Sequence, residues 1–235
     1  MALPKLEHST YELDLPSTGE QIKFRPFLVK EQKHLMIAME SEKSGMLKDT
    51  LAELISNCTF KTVDPYKLPM FDIEYLFLQI RSKSVGETVE LNLICPDDEK
   101  TPVKSKVKLS DVNVHMGLEH TNEINVTDTI KIVMRYPNLN DYVSVDTDLS
   151  EIETVFKMMR LCVDQIHEGD KIHQKIDISN EELDEFIDSL PAEVIDKMAE
   201  FFDTMPKLQH VIKVTNPKTK KKGEVKVEGL QSFFV

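Results

Sequence analysis

The sequence predicts an α+β fold in which amphipathic helices pack on short antiparallel β-hairpins. Three observations predict it. The segment Leu68–Ile94 places Phe71, Ile73, Tyr75, Leu76, Phe77, Leu78 and Ile80 around almost the whole circumference of a helix, so that helix is buried on most sides, in its own core or against a partner. Two capping boxes, Ser150-x-x-Glu153 and Ser179-x-x-Glu182, open later helices. Two pairs of alternating segments, 88–94 with 103–109 and 209–214 with 224–227, each join through a polar tip and read as hairpins.

Tyr11–Leu15 and Gln21–Arg25 read as strands around the turn signal of Pro16 to Gly19, and Pro26 closes that hairpin. Leu28, Leu35, Met36 and Met39 then recur at helical spacing. Ser44-Gly45 interrupts them, and a second helix over 46–58 carries Leu47, Leu51, Leu54, Ile55 and Cys58 on one face. After a loop from Asp64 to Pro69 comes the helix Phe71–Lys83, with Asp72 and Glu74 in its first turn and Arg81 and Lys83 in its last, as the helix dipole favours. Gly86 releases the chain into a strand where Val89, Leu91 and Leu93 alternate with Glu90 and Asn92, and Glu90 is expected opposite one of Lys104, Lys106 and Lys108.

A strand is expected at Ile130–Arg135, then a turn at Tyr136-Pro137 and a short segment to Tyr142. From Ser150 the chain turns helical and acidic, and Ile152, Val155, Phe156, Met159, Val163 and Ile166 form one stripe ended by Gly169. Leu183, Phe186 and Ile187 follow the second capping box. Pro191 opens a helix over Ala192–Thr204 that Pro206 stops. The stretches LNLICPDDEKTPVKSKVKLSDV and HVIKVTNPKTKKKGEVKVEGLQSF share one plan, which suggests two related helix-plus-hairpin units. By composition the chain divides into an N-terminal α+β region, 1–146, and an acidic helical region ending in a hairpin, 147–235.

At 235 residues the chain can bury a sizeable core. Its net charge of −12, from 41 acidic and 29 basic residues, disfavours nucleic acid as a partner, because phosphate contacts need a positive field. No apolar run approaches the ~18 residues of a membrane span, and the N-terminal stretch has no apolar signal core. Three separated cysteines, Cys58, Cys95 and Cys162, do not make a disulfide framework.

Chemistry-bearing constellations are weak. Cys95-Pro96 begins like a zinc knuckle, but Asp97 and Asp98 follow and the second hairpin has Asn216 where a thiol would sit, so no metal site is expected. The stretch from His167 to His173 reads as a solvated loop, and the lysines at 218 and 220–222 as a hairpin tip that would suit an acidic protein surface better than nucleic acid. No phosphate loop, nucleophile elbow or paired catalytic carboxylates appear. The reading is therefore of a non-enzyme without a cofactor.

The segments FDIEYLFLQIRSKSVGE, IKFRPFLVKEQKHLMIAMES and PKLQHVIKVTNPKTKKKGEVKVEGLQSFF together resemble the baseplate hub and hub-assembly proteins of T4-like contractile-tailed bacteriophages. The resemblance runs from about Ile22 to the C-terminus. It implies a protein that binds other tail or baseplate hub proteins, as a hub subunit in the virion or as an assembly chaperone, for example for the tape-measure protein, in the infected cytoplasm. A small metal- or nucleic-acid-binding module is the reading from another class, and missing ligands and negative charge count against it. The residues singled out for packing or interface are Arg25, Pro26 and Phe27 at the end of the first hairpin, Phe71, Asp72, Tyr75, Leu78, Arg81 and Gly86 in and after the buried helix, and the terminal Phe233 and Phe234, which either tuck into the body or dock on another subunit.

Overall fold

The computed structural model describes residues 6–41, 44–145 and 149–233. In chain order these form β1 (Tyr11–Asp14), β2 (Gln21–Phe24), α1 (Val29–Glu40), α2 (Ser44–Cys58), α3 (Met70–Ser84), β3 (Thr88–Ile94), β4 (Pro102–Lys108), β5 (Asn113–His115), β6 (Glu123–Asn125), β7 (Ile130–Met134), α4 (Leu139–Ser144), α5 (Glu151–Cys162), β8 (Val163–Glu168), β9 (Lys171–Gln174), α6 (Asn180–Asp188), α7 (Ala192–Thr204), β10 (Lys207–Thr215) and β11 (Lys222–Glu228). The fold is α+β, with helices on small antiparallel sheets, as its sequence pattern requires. Contacts divide the chain into two compact units, one of residues 1–115 with 207–235 and one of residues 116–206. The change of composition at 146/147 is a separate feature, marking only where the acidic helices begin.

The first unit is built around α3. Pro69, extended and without a donor to waste, caps its N-terminus, and Gly86 at φ +145° turns the chain out after its last turn. One side of α3 presents Ile73, Leu76, Phe77 and Ile80 to Leu51, Leu54, Ile55 and Cys58 of α2 and to Phe24 and Phe27. Leu78 points the other way, into a cluster with Val89, Leu91 and Leu93 of β3, Val107 of β4, and Leu208, Ile212, Val214 and Val227 of β10 and β11. Each fully buried aliphatic or aromatic side chain contributes about 1.5–3 kcal/mol of burial free energy, so a helix buried on both sides stabilises two cores at once.

β3 and β4 pair with Val89 opposite Val107, leaving Lys104, Lys106 and Lys108 outward. Glu90 lies opposite Lys106 in register, yet its carboxylate meets Lys104 Nζ diagonally at 2.9 Å. β10 is a central strand, flanked by β11 and by the three-residue β5. Phe233 is fully buried in the same cluster as Leu78, whereas Phe234 lies outside the described residues.

The second unit holds a four-stranded sheet in the order β6-β7-β8-β9. Ile132 and Met134 of β7, Val163 and Ile166 of β8, Met159 and Cys162 of α5, and the inner faces of α6 and α7 form its core. Two expectations need correction here. The stripe from Ile152 does not continue as helix through Val163 and Ile166; α5 stops at Cys162 and those residues belong to β8. His167 and His173 are not in a loop either: they lie on paired strands joined by Gly169-Asp170, where Gly169 adopts φ +57°. The segment reaching Tyr142 is the short helix α4, capped by Asn138, whose side chain accepts the Asp141 N–H at 3.1 Å.

The element order repeats, and more fully than the two hairpins suggested. In each half a hairpin ends at an arginine, two helices follow, the second helix ends at a buried cysteine, a proline caps a later helix, and a hairpin leads into a single 3-10 turn. The local hydrogen bonds repeat too. Arg25 N–H donates to the Cys58 carbonyl at 2.9 Å and Arg135 N–H to the Cys162 carbonyl at 2.8 Å. In the second half β8, β9 and α6 stand where the first half has only the loop between Thr59 and Pro69.

Truncating Phe77, 1% exposed at the centre of α3, is expected to remove about 3–5 kcal/mol of stability, measured as a fall in the midpoint of chemical denaturation.

Candidate protein interface

Strand ends and helix starts fix the two arginine corners. Arg25 follows β2 directly, and its guanidinium donates to Glu31 Oε1 at 2.9 Å and to the Pro26 carbonyl at 2.9 Å. Glu31 sits in the first turn of α1 and also accepts the Leu28 N–H at 2.9 Å, so one carboxylate caps the helix and binds the arginine. Burial pushes the Glu31 carboxyl up, but the hydrogen bond and charge of Arg25 and the Leu28 N–H outweigh it and leave the group below its usual range. Arg135 repeats the arrangement with Asp141, at 2.6 and 2.8 Å, and with the Leu161 carbonyl at 2.8 Å. Beside these pairs the Cys58 and Cys162 thiols are pushed up to about 12 by burial, so both stay protonated packing groups.

The singled-out residues fall mostly on or against α3. Phe27 is buried, and its N–H donates to Ser84 Oγ at 2.9 Å, tying the first hairpin to the end of α3. Phe71 is buried at the other end, Tyr75 is half-buried against the hairpin cluster, and Arg81 is half-buried, with burial drawing its guanidinium below the usual range. Asp72 stands in the first turn of α3, where the helix dipole favours an acid, and is fully buried, accepting the Ser17 N–H at 3.0 Å and the Ser17 hydroxyl, which fastens the β1–β2 turn to the head of α3. Glu74, half-buried, accepts the Leu230 N–H at 3.1 Å and so fastens the C-terminal segment. Burial raises both carboxyls above their ordinary values although these hydrogen bonds pull the other way. The sequence marks Asp72 as a packing or interface residue and Glu74 only as a first-turn charge; nothing local marks their partners, which lie 55 and 156 residues away.

Exposed apolar side chains are scattered over the surface, Leu118 and Ile176 among them, and they gather along the chain at the junctions of the paired helices. Around the α1–α2 junction Met36, Ile37, Met39 and Met46 are exposed. Around the α4–α5 junction Val143, Ile152, Val155 and Phe156 are exposed, with Ile152 at 72%. On α5 the apolar stripe continues inward to Met159 and Cys162, which are buried. The N-terminal half of a well-formed stripe is thus uncovered, where a surface helix would carry polar residues.

Elsewhere in the second unit His120 stacks on Tyr136, with ring centroids 5.6 Å apart, and bonds Thr204 Oγ1 and Tyr136 Oη, each at 3.0 Å. Burial holds its imidazole below the usual range, so it is neutral near pH 7. Among the described residues no group of three or more His, Cys, Asp or Glu side chains is placed to hold a metal ion, and no helix is long and apolar enough to cross a membrane. A family model described as T4 bacteriophage base plate protein matches residues 8–235. The chain belongs to that baseplate family. Neither a curated protein nor a solved structure gives a further match. Membership makes the chain a structural protein of the phage tail baseplate, and a baseplate protein works in contact with other baseplate or tail proteins.

Two outcomes are expected from the buried charges. Arg25→Met strands Glu31, whose side chain is 8% exposed, and should cost about 3 kcal/mol, while the double variant Arg25→Met with Glu31→Leu recovers most of it; denaturant midpoints decide. Glu74 has a folded-state pKa above its unfolded one, so its contribution to stability is present at low pH and is lost as pH rises through the raised value. Glu74→Gln should therefore gain on the native chain as the pH of the denaturation series climbs above the usual carboxylate range.

Proposed function

We propose that this baseplate protein is a subunit of the hub, that it is not an enzyme, and that it acts by binding neighbouring tail proteins through the exposed helix junctions. The observation that carries the reading is the uncovered stripe Ile152, Val155 and Phe156 on α5, in a chain whose family builds the baseplate. Apolar side chains ringed by polar ones form the centre of a protein interface, while the surrounding charges set partner choice. On this reading the excess of acidic residues keeps nucleic acid off the surface.

A second reading rests on Met36, Met39 and Met46, all exposed at the α1–α2 junction. Flexible methionine surfaces adapt to varied partners, which suits an assembly chaperone that holds another tail protein, such as the tape-measure protein, and then leaves.

Mass spectrometry of mature particles beside the infected-cell lysate separates the two. Peptides of this chain at a few copies per tail are expected for a hub subunit; peptides abundant in the lysate and missing from particles would establish the chaperone instead. In a reconstituted baseplate, Phe156→Glu should fold normally by circular dichroism and lose incorporation at least tenfold, the loss expected when a large apolar anchor is replaced by a charge at an interface centre.

A further inference from the structure

The tips of the hairpins β3–β4 and β10–β11 have the same backbone. Cys95 N–H donates to the Thr101 carbonyl and Glu99 N–H to the Cys95 carbonyl; Asn216 N–H donates to the Lys221 carbonyl and Lys220 N–H to the Asn216 carbonyl. Each tip places a proline second and turns through a left-handed residue fifth, Glu99 at φ +53° and Lys220 at φ +64°. The two tips also meet. A Cβ built on Gly223 would lie 2.6 Å from Pro96 Cγ, so β11 accepts the first tip only because residue 223 has no side chain.

Turns of this form, with first and fourth residues facing a second such turn, are how two hairpins share a tetrahedral metal ion through ligands spaced C-x-x-C. Here the four positions hold Cys95, Asp98, Asn216 and Thr219. That donor set does not suit the ion: one thiol, one carboxylate, an amide and a hydroxyl lack the thiolate and imidazole donors of structural zinc sites. Three of the four, Asp98, Asn216 and Thr219, already make other hydrogen bonds. Asp98 accepts the Thr101 hydroxyl at 2.6 Å and the Thr101 N–H at 3.0 Å, and Asn216 Oδ1 accepts the Lys218 N–H at 2.8 Å. Asp97 reaches across, accepting Asn216 Nδ2 at 2.8 Å and Thr219 Oγ1 at 2.5 Å.

We infer that the paired hairpins are a metal ribbon without the metal, in which the Asp97 carboxylate bridges the two tips where an ion would otherwise stand. Cys95 is a buried thiol raised by burial and by the charges of Asp97 and Asp98, a packing group rather than a ligand.

The test begins with the native chain. Metal analysis after gel filtration should find no stoichiometric zinc, and EDTA should leave the melting temperature unchanged; one equivalent of retained zinc overturns the inference. Restoring the ligands is the converse. The variant Asp98→Cys, Asn216→Cys, Thr219→Cys, with Cys95 in place, should take up one equivalent of Co2+ with the absorption of a tetrahedral thiolate site. A folded variant that takes up none shows that the four positions do not converge and overturns the inference. Should that variant not fold, Asp97→Ala decides: it should lower the melting temperature by a few degrees against the neighbouring control Lys100→Ala, and an unchanged value overturns the bridge.

Discussion

Everything in the first unit depends on one constraint: α3 has no solvent face to spare. Its aliphatic side chains fill the cluster shared with α2 on one side and the hairpin cluster on the other. With the sides occupied by apolar groups, its polar residues near the N-terminus have only buried or half-buried positions, and both acids found there are satisfied by donors from distant chain segments. A buried carboxylate is tolerable only when hydrogen-bonded, so the same bonds that relieve Asp72 and Glu74 also fix the first turn and the last segment of the chain against the helix. Packing and polar satisfaction thus specify the same arrangement, which is how a sequence selects one structure.

What could be read from the sequence was what local chemistry decides. The helices after Ser150 and Ser179 announce themselves because each serine and the glutamate three residues on satisfy the other's backbone donors, and the structure shows both boxes closed. Hairpins with alternating valines and lysines were equally plain. The end of α5 was not. Val163 and Ile166 continue the helical spacing of Met159, and nothing nearby breaks it. The helix ends at Cys162 because Arg135, just past β7, takes the Cys162 carbonyl with its own N–H, and because the following residues have strand partners on β7 and β9. β5 was illegible for a similar reason: three residues make a strand only when β10 is there to pair with them.

The residues chosen for the site were legible as important and illegible in role. Arg25, Phe27 and Asp72 turn out to join elements within one unit, and such partnerships carry no signal in the spacing of a single chain. The exposed stripe of α5 shows the converse limit. Its periodicity is strong, and periodicity alone reads as core; only coordinates reveal that half of it is uncovered. The repeated corners add a control within the molecule. An arginine, an acid and a cysteine recur at matching places in both halves, and the inserted β8–β9–α6 segment is what the second half adds.

The discontinuity of the first unit sets an order on synthesis. Residues 1–115 leave the ribosome well before 207–235, and domains tend to form as they emerge. The second unit, contiguous over 116–206, has its whole sequence available before the first is complete. Meanwhile the inner face of β3–β4 waits without β10 and β11, the strands that share its cluster. For the time needed to translate about ninety residues, several seconds at ordinary elongation rates, the nascent chain holds an open hydrophobic sheet that only its own C-terminus can close.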